Sequence, residues 1–457
     1  MDVELPSFKQ MIGMRERREL TAVNRLGLMK LKIQLAIGLS LVATPILAAP
    51  TTPQTALSDA ARYTVEVFRF SSVGLNADDG QSASGTGFLF DRKRGWILTN
   101  AHVSSRSPAR LEVAFKDGED IPAKRIFVDH YLDMAILQVD PEKLPSGVKE
   151  AQLDCDAFPT VGTSVAIFGN PSVFRFVASR GIVSGTSWLG QREHVQSDAT
   201  INSGNSGGPL INLETGKVVG LASESYRDTN DEHSTSVALS EPMPPICKAI
   251  NLLRSGKDAN VRQLDAAIST RPRDERPIIA VVPSGQTDLR VGDVILKVDG
   301  GSIVRNPADL IHQLRGRDGV IDLSVKRGDQ VVTLRVSAPI LPPLLSAQAI
   351  ALSGLVISEP WRLDSRFTDD KDRLVIDFIL PETPAENIGV GASAVVMTVD
   401  GASFGKLRDL HEYLVSKNGK GEVEFVVSES SDELIYHRRF TSFRLPVDNL
   451  KWINVSE

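Results

Sequence analysis

The sequence predicts an all-β region followed by two small α+β modules, and three observations carry that prediction. Between about residues 63 and 220, short runs of Val, Ile, Phe and Thr recur at close spacing, broken by Gly, Pro, Asn and Asp. Few long helical periodicities interrupt them, which is the pattern of a barrel or a sandwich. Beyond residue 255 a weak internal repeat sets Val298-Asp299-Gly300-Gly301-Ser302 against Val399-Asp400-Gly401-Ala402-Ser403, each after a strand-like run and before a helix-like one. The length of 457 residues agrees, because a single domain is typically roughly 150 residues.

Taken in chain order, the first signal is a leader. Met29-Lys30-Leu31-Lys32 is basic, residues 33–47 are apolar, and Ala48-Ala49-Pro50 is small, which is the layout of a secretory signal peptide. Pro50 disfavours cleavage directly before it, so residues 1–48 are expected to be removed after Ala48. Residues 1–28 read as a preface, with Met29 as the true start, and an uncleaved anchor is the alternative to cleavage. Residues 49–58, rich in Pro and Thr, read as a linker. Strand-like runs at 64–70, 87–90, 96–98, 111–115, 135–139, 165–168 and 218–221 then fill a domain spanning 59–254. Phe68 and Phe70 read as core of the first strand, with aromatics at a trimer contact as the alternative. A helical period at 244–254, with Ile246, Ile250 and Leu253 on one face, closes that domain.

The modules are expected at 255–340 and 345–446. In the first, Asn306 caps a helix, Pro307 opens it, and Leu310, Ile311 and Leu314 face inward. The second aligns Leu407, Leu410 and Leu414 and stops at Asn418-Gly419. Strand pairs follow each helix, at 320–325 with 331–336 and at 422–427 with 436–440.

Charge and cysteine usage narrow the class. With 51 Lys and Arg against 57 Asp and Glu, the net charge of −6 argues against a dedicated nucleic-acid or anionic-membrane binder. Two cysteines, Cys155 and Cys247, supply no disulfide framework. They read as buried free thiols, with pairing in an oxidising compartment as the alternative.

The chemistry centres on "INSGNSGGPL", residues 201–210, which surrounds Ser206 with three glycines and a proline. Alone it is either a surface turn or a nucleophile whose neighbouring amides point at a reacting oxygen. Upstream, "GWILTNAHV" runs a strand into His102, and "YLDMAIL" sets Asp133 before another strand. His102, Asp133 and Ser206 follow one of the known chain orders of a Ser-His-Asp triad. In that reading Ser206 attacks a carbonyl, His102 takes and returns the proton, and Asp133 fixes the imidazole tautomer. The Gly204-Asn205-Ser206 turn forms the oxyanion hole, with the amides of Gly204 and Ser206 as donors. Acyl transfer by serine needs no cofactor and no metal, and no ligand cluster or phosphate loop stands out.

The blocks "SGTGFLF", "ILTNAHV", "LDMAIL" and "SDATINSGNSGGPLIN" resemble the signature blocks of the trypsin-like HtrA/Deg proteases. The resemblance covers nearly all of the chain after residue 60. It implies an all-β trypsin-like double β-barrel protease domain, two six-stranded barrels with the triad between them, followed by two small α+β PDZ-like domains. It further implies ATP-independent cleavage of unfolded or damaged proteins, in trimers or multiples of them, and the leader points to the periplasm. Ile201, Ala222 and Val237 would line the primary pocket, which favours small aliphatic side chains, with plain core residues as the alternative. PDZ modules bind C-terminal carboxylates through glycine-rich loops. The stretches "RDERPIIAV" and "DDKDRLVIDF" contain no glycine, and Asp370 and Asp372 would repel a carboxylate, so peptide binding is expected to be weak or atypical. Two rival readings are a signalling protease cued by a peptide and a chaperone or scaffold that cleaves little.

Overall fold

The computed structural model describes residues 51–71, 73–75, 82–189, 192–226, 237–271, 274–282, 288–317, 319–341, 343–359, 373–417, 419, 421–430 and 438–455. The expected leader, Asp370 and Asp372 lie outside these residues.

Twelve antiparallel strands close into two barrels. The first contains β1 (Thr64–Phe70), β2 (Ala83–Asp91), β3 (Trp96–Thr99), β4 (Arg110–Phe115), β5 (Asp120–Asp129) and β6 (Met134–Gln138), joined in the order β1-β2-β3-β6-β5-β4. The second contains β7 (Ser164–Gly169), β8 (Val177–Leu189), β9 (Arg192–Ser197), β10 (Pro209–Asn212), β11 (Val218–Tyr226) and β12 (Val237–Pro242), in the order β10-β11-β12-β9-β8-β7. Closure leaves no strand edge unpaired, so neither barrel offers a template for aggregation. Alternation sends Val65, Val67, Ile97 and Val113 into the first interior and Val165, Ile167, Val195 and Leu210 into the second, all fully buried.

Phe70 departs from the expected core role. It is 39% exposed, and the Arg110 guanidinium lies 4.2 Å from its ring centre. The alternation at the end of β1 turns Arg69 inward and Phe70 outward, and Phe68 is half-buried.

Three helices flank the barrels: α1 (Pro53–Tyr63), α2 (Ala101–Ser104) and α3 (Met243–Arg254). The first occupies much of the stretch expected as a linker. Pro53 stands at the first helical position, where proline starts a helix rather than breaking it. Thr52 caps it by accepting from the Thr55 amide, and Ala56, Ala60 and Tyr63 bury against the first barrel.

The free-thiol expectation is corrected. Cys247, on the buried face of α3, is bonded to Cys155, with Cα atoms 5.7 Å apart at a sequence separation of 92. Nothing local in the sequence brings the two thiols together; the packing of α3 on the second barrel does. A cross-link closing so long a loop stabilises by about 4 kcal/mol through the entropy of the unfolded chain. Cys155→Ser/Cys247→Ser is therefore expected to lower the melting temperature by several degrees, read by calorimetry beside the oxidised parent.

Beyond α3 a five-stranded sheet runs in sequence order through β13 (Ala267–Arg271), β14 (Asp274–Val281), β15 (Val294–Val298), β16 (Val320–Arg327) and β17 (Gln330–Ser337), with α4 (Pro307–Leu314) packed across it. A seven-stranded sheet follows: β18 (Gln348–Leu352), β19 (Leu355–Ser358), β20 (Val375–Ile379), β21 (Val395–Val399), β22 (Glu422–Ser430), β23 (Arg438–Pro446) and β24 (Lys451–Asn454), with α5 (Leu407–Ser416). Its order is β23-β22-β21-β20-β19-β18-β24, so this module runs past residue 446.

The internal repeat is structural. Asp299 and Gly300 adopt φ of 46° and 66°, Asp400 and Gly401 φ of 48° and 79°. Each aspartate's Oδ1 accepts the amide of the strand after the helix, Asp322 in one module and Glu424 in the other, both at 2.8 Å. Asn306 caps α4 by accepting the Asp309 amide at 2.8 Å. Of the two glycine-free stretches expected as carboxylate loops, residues 274–281 form strand β14 and residues 375–378 fall in β20, while residues 369–372 of the second lie outside the described residues.

Candidate active site

His102 lies in α2, one turn inserted directly after β3, and Asp133 lies in the turn leading into β6. Asp133 takes a left-handed φ of 42°, a conformation aspartate tolerates better than most residues. Its carbonyl accepts from Asn100 Nδ2 at 2.8 Å and from the Ala101 amide at 3.1 Å, which ties the two turns together. The carboxylate then takes His102 from two directions: Oδ1 accepts the backbone amide at 3.1 Å, and Oδ2 lies 2.7 Å from Nδ1. Asp133 is 6% exposed. Burial pushes its carboxyl upward, but the hydrogen bonds and charge of His102 outweigh burial and hold it below the ordinary carboxylate range.

Ser206 comes from the second barrel. Its Oγ donates to the Ser223 carbonyl at 2.7 Å, and the Ser223 hydroxyl donates to Asp133 Oδ2 at 2.9 Å. The Ser206 hydroxyl thus rests on the Ser223 carbonyl.

The loop holding Ser206 is fixed across the barrel boundary by Thr86 of β2. The Thr86 amide donates to the Ser206 carbonyl at 2.9 Å, and its Oγ1 donates to the Gly204 carbonyl at 2.6 Å. The Asn170 amide donates to the same Oγ1 at 3.0 Å, and Thr99 Oγ1 donates to the Thr86 carbonyl at 2.7 Å. Gly204 and Gly207 are obligatory here. Their φ values are 98° and 85°, and a Cβ would stand 2.3 Å from the Asn170 carbonyl and 2.0 Å from the Thr86 carbonyl, respectively.

With both carbonyls held behind the loop, the Gly204 and Ser206 amides have no protein acceptor among the described residues, as an oxyanion site requires. Asn205 does not belong to that donor set: its amide donates to the Asn202 carbonyl at 3.0 Å.

These residues open on a cleft of about 610 Å³ lined by His102, Asp133, Ile201, Ser206 and the run Ser223–Ser225. The expected primary pocket is only partly met. Ile201 lines the cleft, whereas Ala222 is fully buried in the core of the second barrel and Val237 sits at the start of β12 beside Tyr226. Alternation along β11 turns Ala222 inward, and its backbone instead pairs with the Gly207 and Gly208 groups. Residues 227–236, which precede Val237, lie outside the described residues. The cleft also holds an acidic residue that the sequence reading did not place there. Glu224 lines it 3.4 Å from Arg192, and behind it Glu241 pairs with Arg192 at 2.9 Å. Burial pushes Glu241 well above the carboxylate range against the pull of Arg192.

Thr86, Thr99, Asn100, Asn170 and Ser223 escaped the sequence reading. The first three stand inside the quoted blocks, one to three residues from the glycines and the histidine that drew notice. Asn170 and Ser223 carry no local signal.

The first α+β module braces the turn ahead of Asp133. Arg315, at the end of α4, pairs with Asp129 at 2.5 Å, and both side chains are almost wholly buried. Asp129 Oδ1 in turn accepts the Tyr131 and Leu132 amides at 2.9 and 3.1 Å. Two histidines stand on either side of this brace. Burial pushes His130 down to about 4, and burial together with Arg315 pushes His312 down to about 3. A histidine depressed in the folded state stays neutral there while the unfolded chain protonates, so its contribution is complete above about pH 6.5 and is lost as pH falls toward 4. Each such site steepens the loss by at most about 1.4 kcal/mol per pH unit. Melting curves at pH 7 and pH 5 are expected to differ more for the parent than for His312→Phe.

Comparison with known proteins fits this geometry. The family described as trypsin-like peptidase domain matches residues 85–221. A probable periplasmic serine endoprotease DegP-like from Pseudomonas fluorescens is 33% identical over 246 residues, covering 50% of each chain. Another of that description from Marinomonas sp. is 28% identical over 347 residues, covering 70% of this chain and 71% of the relative. Serine protease HTRA1 of Xenopus tropicalis is 28% identical over 56% of this chain and 60% of its own length. In its first matches, then, the chain spans about half the length of the curated relatives. The solved HtrA-type protease AlgW with tripeptide shares the fold at a TM-score of 0.52 and 22% identity, over 64% of this chain and 98% of its own. Residues 85–221 match the trypsin-like peptidase domain family, and the chain that carries them is similar to the DegP-like serine endoproteases.

Proposed function

We propose that the chain is an exported, ATP-independent serine endopeptidase that cleaves unfolded or damaged proteins by a Ser-His-Asp acyl-enzyme mechanism. One observation carries the reading: His102, Asp133 and Ser206 converge from two barrels on one cleft, beside two amides with no protein acceptor. In the reaction Ser206 rotates off the Ser223 carbonyl and adds to the scissile carbonyl while His102 Nε2 takes its proton. Asp133 holds Nδ1–H and balances the imidazolium, and the Gly204 and Ser206 amides receive the oxyanion. His102 then delivers the proton to the leaving amine, and water repeats the sequence to release the acyl group.

The periplasm as site of action, the division into a protease domain at 59–254 with two PDZ-like modules behind it, and assembly into trimers or multiples belong to the same reading. It is supported by relatives named periplasmic endoproteases and by the outward-facing Phe70. Ile201 is the only aliphatic side chain among the described lining residues, and it favours small aliphatic residues before the cleaved bond.

The test is cleavage of one substrate protein, reduced and unfolded or native, with no peptide added. Rapid cleavage of the unfolded form alone is expected. Cleavage that begins only after a peptide is supplied would instead mark a protease cued by a signal.

A further inference from the structure

The last strand of the described chain is bound to the second module in the manner of a ligand. β23 and β24 are the two edge strands of the seven-stranded sheet, and residues 447–450 alone connect them. The chain leaves one edge and closes on the other. β24 pairs with β18 only, antiparallel, with Gln348 opposite Asn454, Ala349 opposite Ile453, Ile350 opposite Trp452 and Ala351 opposite Lys451.

Side chains alternate between two apolar surfaces. Trp452 packs against the core that includes Leu407, Leu410 and Leu414 of α5, and its ring meets His411 edge-on at 5.1 Å. Ile453 and Val455 point the other way, into a cluster with Ala349, Val356 and Leu75, the last contributed by the barrel side. Lys451, which opens the strand, is exposed. Beyond β24 the Val455 carbonyl accepts from Arg125 at 3.3 Å, and that guanidinium also donates to the Ser104 and Ser107 carbonyls, just past His102.

Without residues 450–455, β18 would present a row of unpaired amides and carbonyls beside two apolar surfaces. That is what strand-addition sites offer: main-chain hydrogen bonds for affinity and alternate side-chain pockets for selection. We infer that the outer edge of β18 is a peptide-binding site occupied in cis by β24, and that it accepts in trans an extended peptide with an aromatic residue on one face and two aliphatic residues on the other. The site is distinct from the catalytic cleft, and the inference holds whether or not the chain is a protease.

The occupant tethered in cis competes at high effective concentration, so a free peptide binds the intact chain poorly. The test uses a fluorescent synthetic peptide of residues 448–457, "DNLKWINVSE", and follows anisotropy with three proteins: the full chain, Trp452→Ala and the chain lacking residues 450–457. Affinity is expected to rise at least tenfold from the full chain to Trp452→Ala, and again on truncation. Equal affinity for the full chain and Trp452→Ala, or no binding to a folded truncated chain, overturns the inference. Should truncation unfold the module, adding the peptide is expected to raise its melting temperature toward that of the parent; no rise at saturating peptide also overturns it. Binding that appears only as the protein self-associates, with strands exchanged between two copies, counts against a monomeric peptide site and overturns it as well.

Discussion

Ser206→Ala is expected to lower kcat for peptide-bond cleavage by on the order of 10⁶-fold while leaving the melting temperature near that of the parent. Among the described residues the hydroxyl's one hydrogen bond is to the Ser223 carbonyl, which lies at the cleft and can take water instead. Removing it therefore costs little stability, and the loss is chemical. Asp133→Asn is expected to cost about 10⁴-fold, because an amide in place of Oδ2 favours the wrong imidazole tautomer. The two losses will not add, since the residues act on one proton transfer. Single-turnover kinetics on a chromogenic peptide check both values. Equal turnover by the parent and Ser206→Ala would mean that the hydrolysis arises elsewhere and that Ser206 is a turn residue.

Arg315→Met is expected to destabilise the chain by about 3–5 kcal/mol, because it leaves Asp129 charged, buried and unpaired. Asp129→Asn in the same chain is expected to restore part of the loss. An amide oxygen can still accept the Tyr131 and Leu132 amides, and no uncompensated charge remains. The single variant should also lose turnover, since those amides belong to the turn that aims Asp133. Urea unfolding monitored at the first transition, with activity read on the same samples, separates the two effects. A single variant as stable as the double would show that the pair contributes through packing rather than charge.

The parts of the site that depend on contiguous sequence were legible. "ILTNAHV" contains both the strand and the helical turn that carry His102, and "INSGNSGGPL" contains the glycines whose positive φ shapes the turn around Ser206. What depends on two segments meeting in space was not legible. The Cys155–Cys247 bond requires α3 to settle on the second barrel, and the Thr86 contacts require two barrels to meet. Ala222 was misplaced because a pocket wall and a barrel interior alternate residue by residue, and a one-residue offset on β11 exchanges them. Residues 274–281 were expected as a loop, although their apolar content marks a strand. β24 was missed because "KWIN" is too short to show a period.

The hydrogen bonds from Thr86 and Asn170 join the two halves of the catalytic apparatus without belonging to either. In the proposed mechanism one barrel supplies the proton acceptor and its orienting carboxylate, the other the nucleophile and the oxyanion amides, so the proposed enzyme would work as a coincidence detector. It reports that both barrels are intact and correctly docked. A displacement of about 1 Å between reacting groups can cost 10²-fold in rate, far less movement than a spectrum of secondary structure registers. Mild denaturant should therefore silence cleavage well before either barrel melts. In the proposed protease such loosening would then silence cleavage before the chain became a substrate for its neighbours.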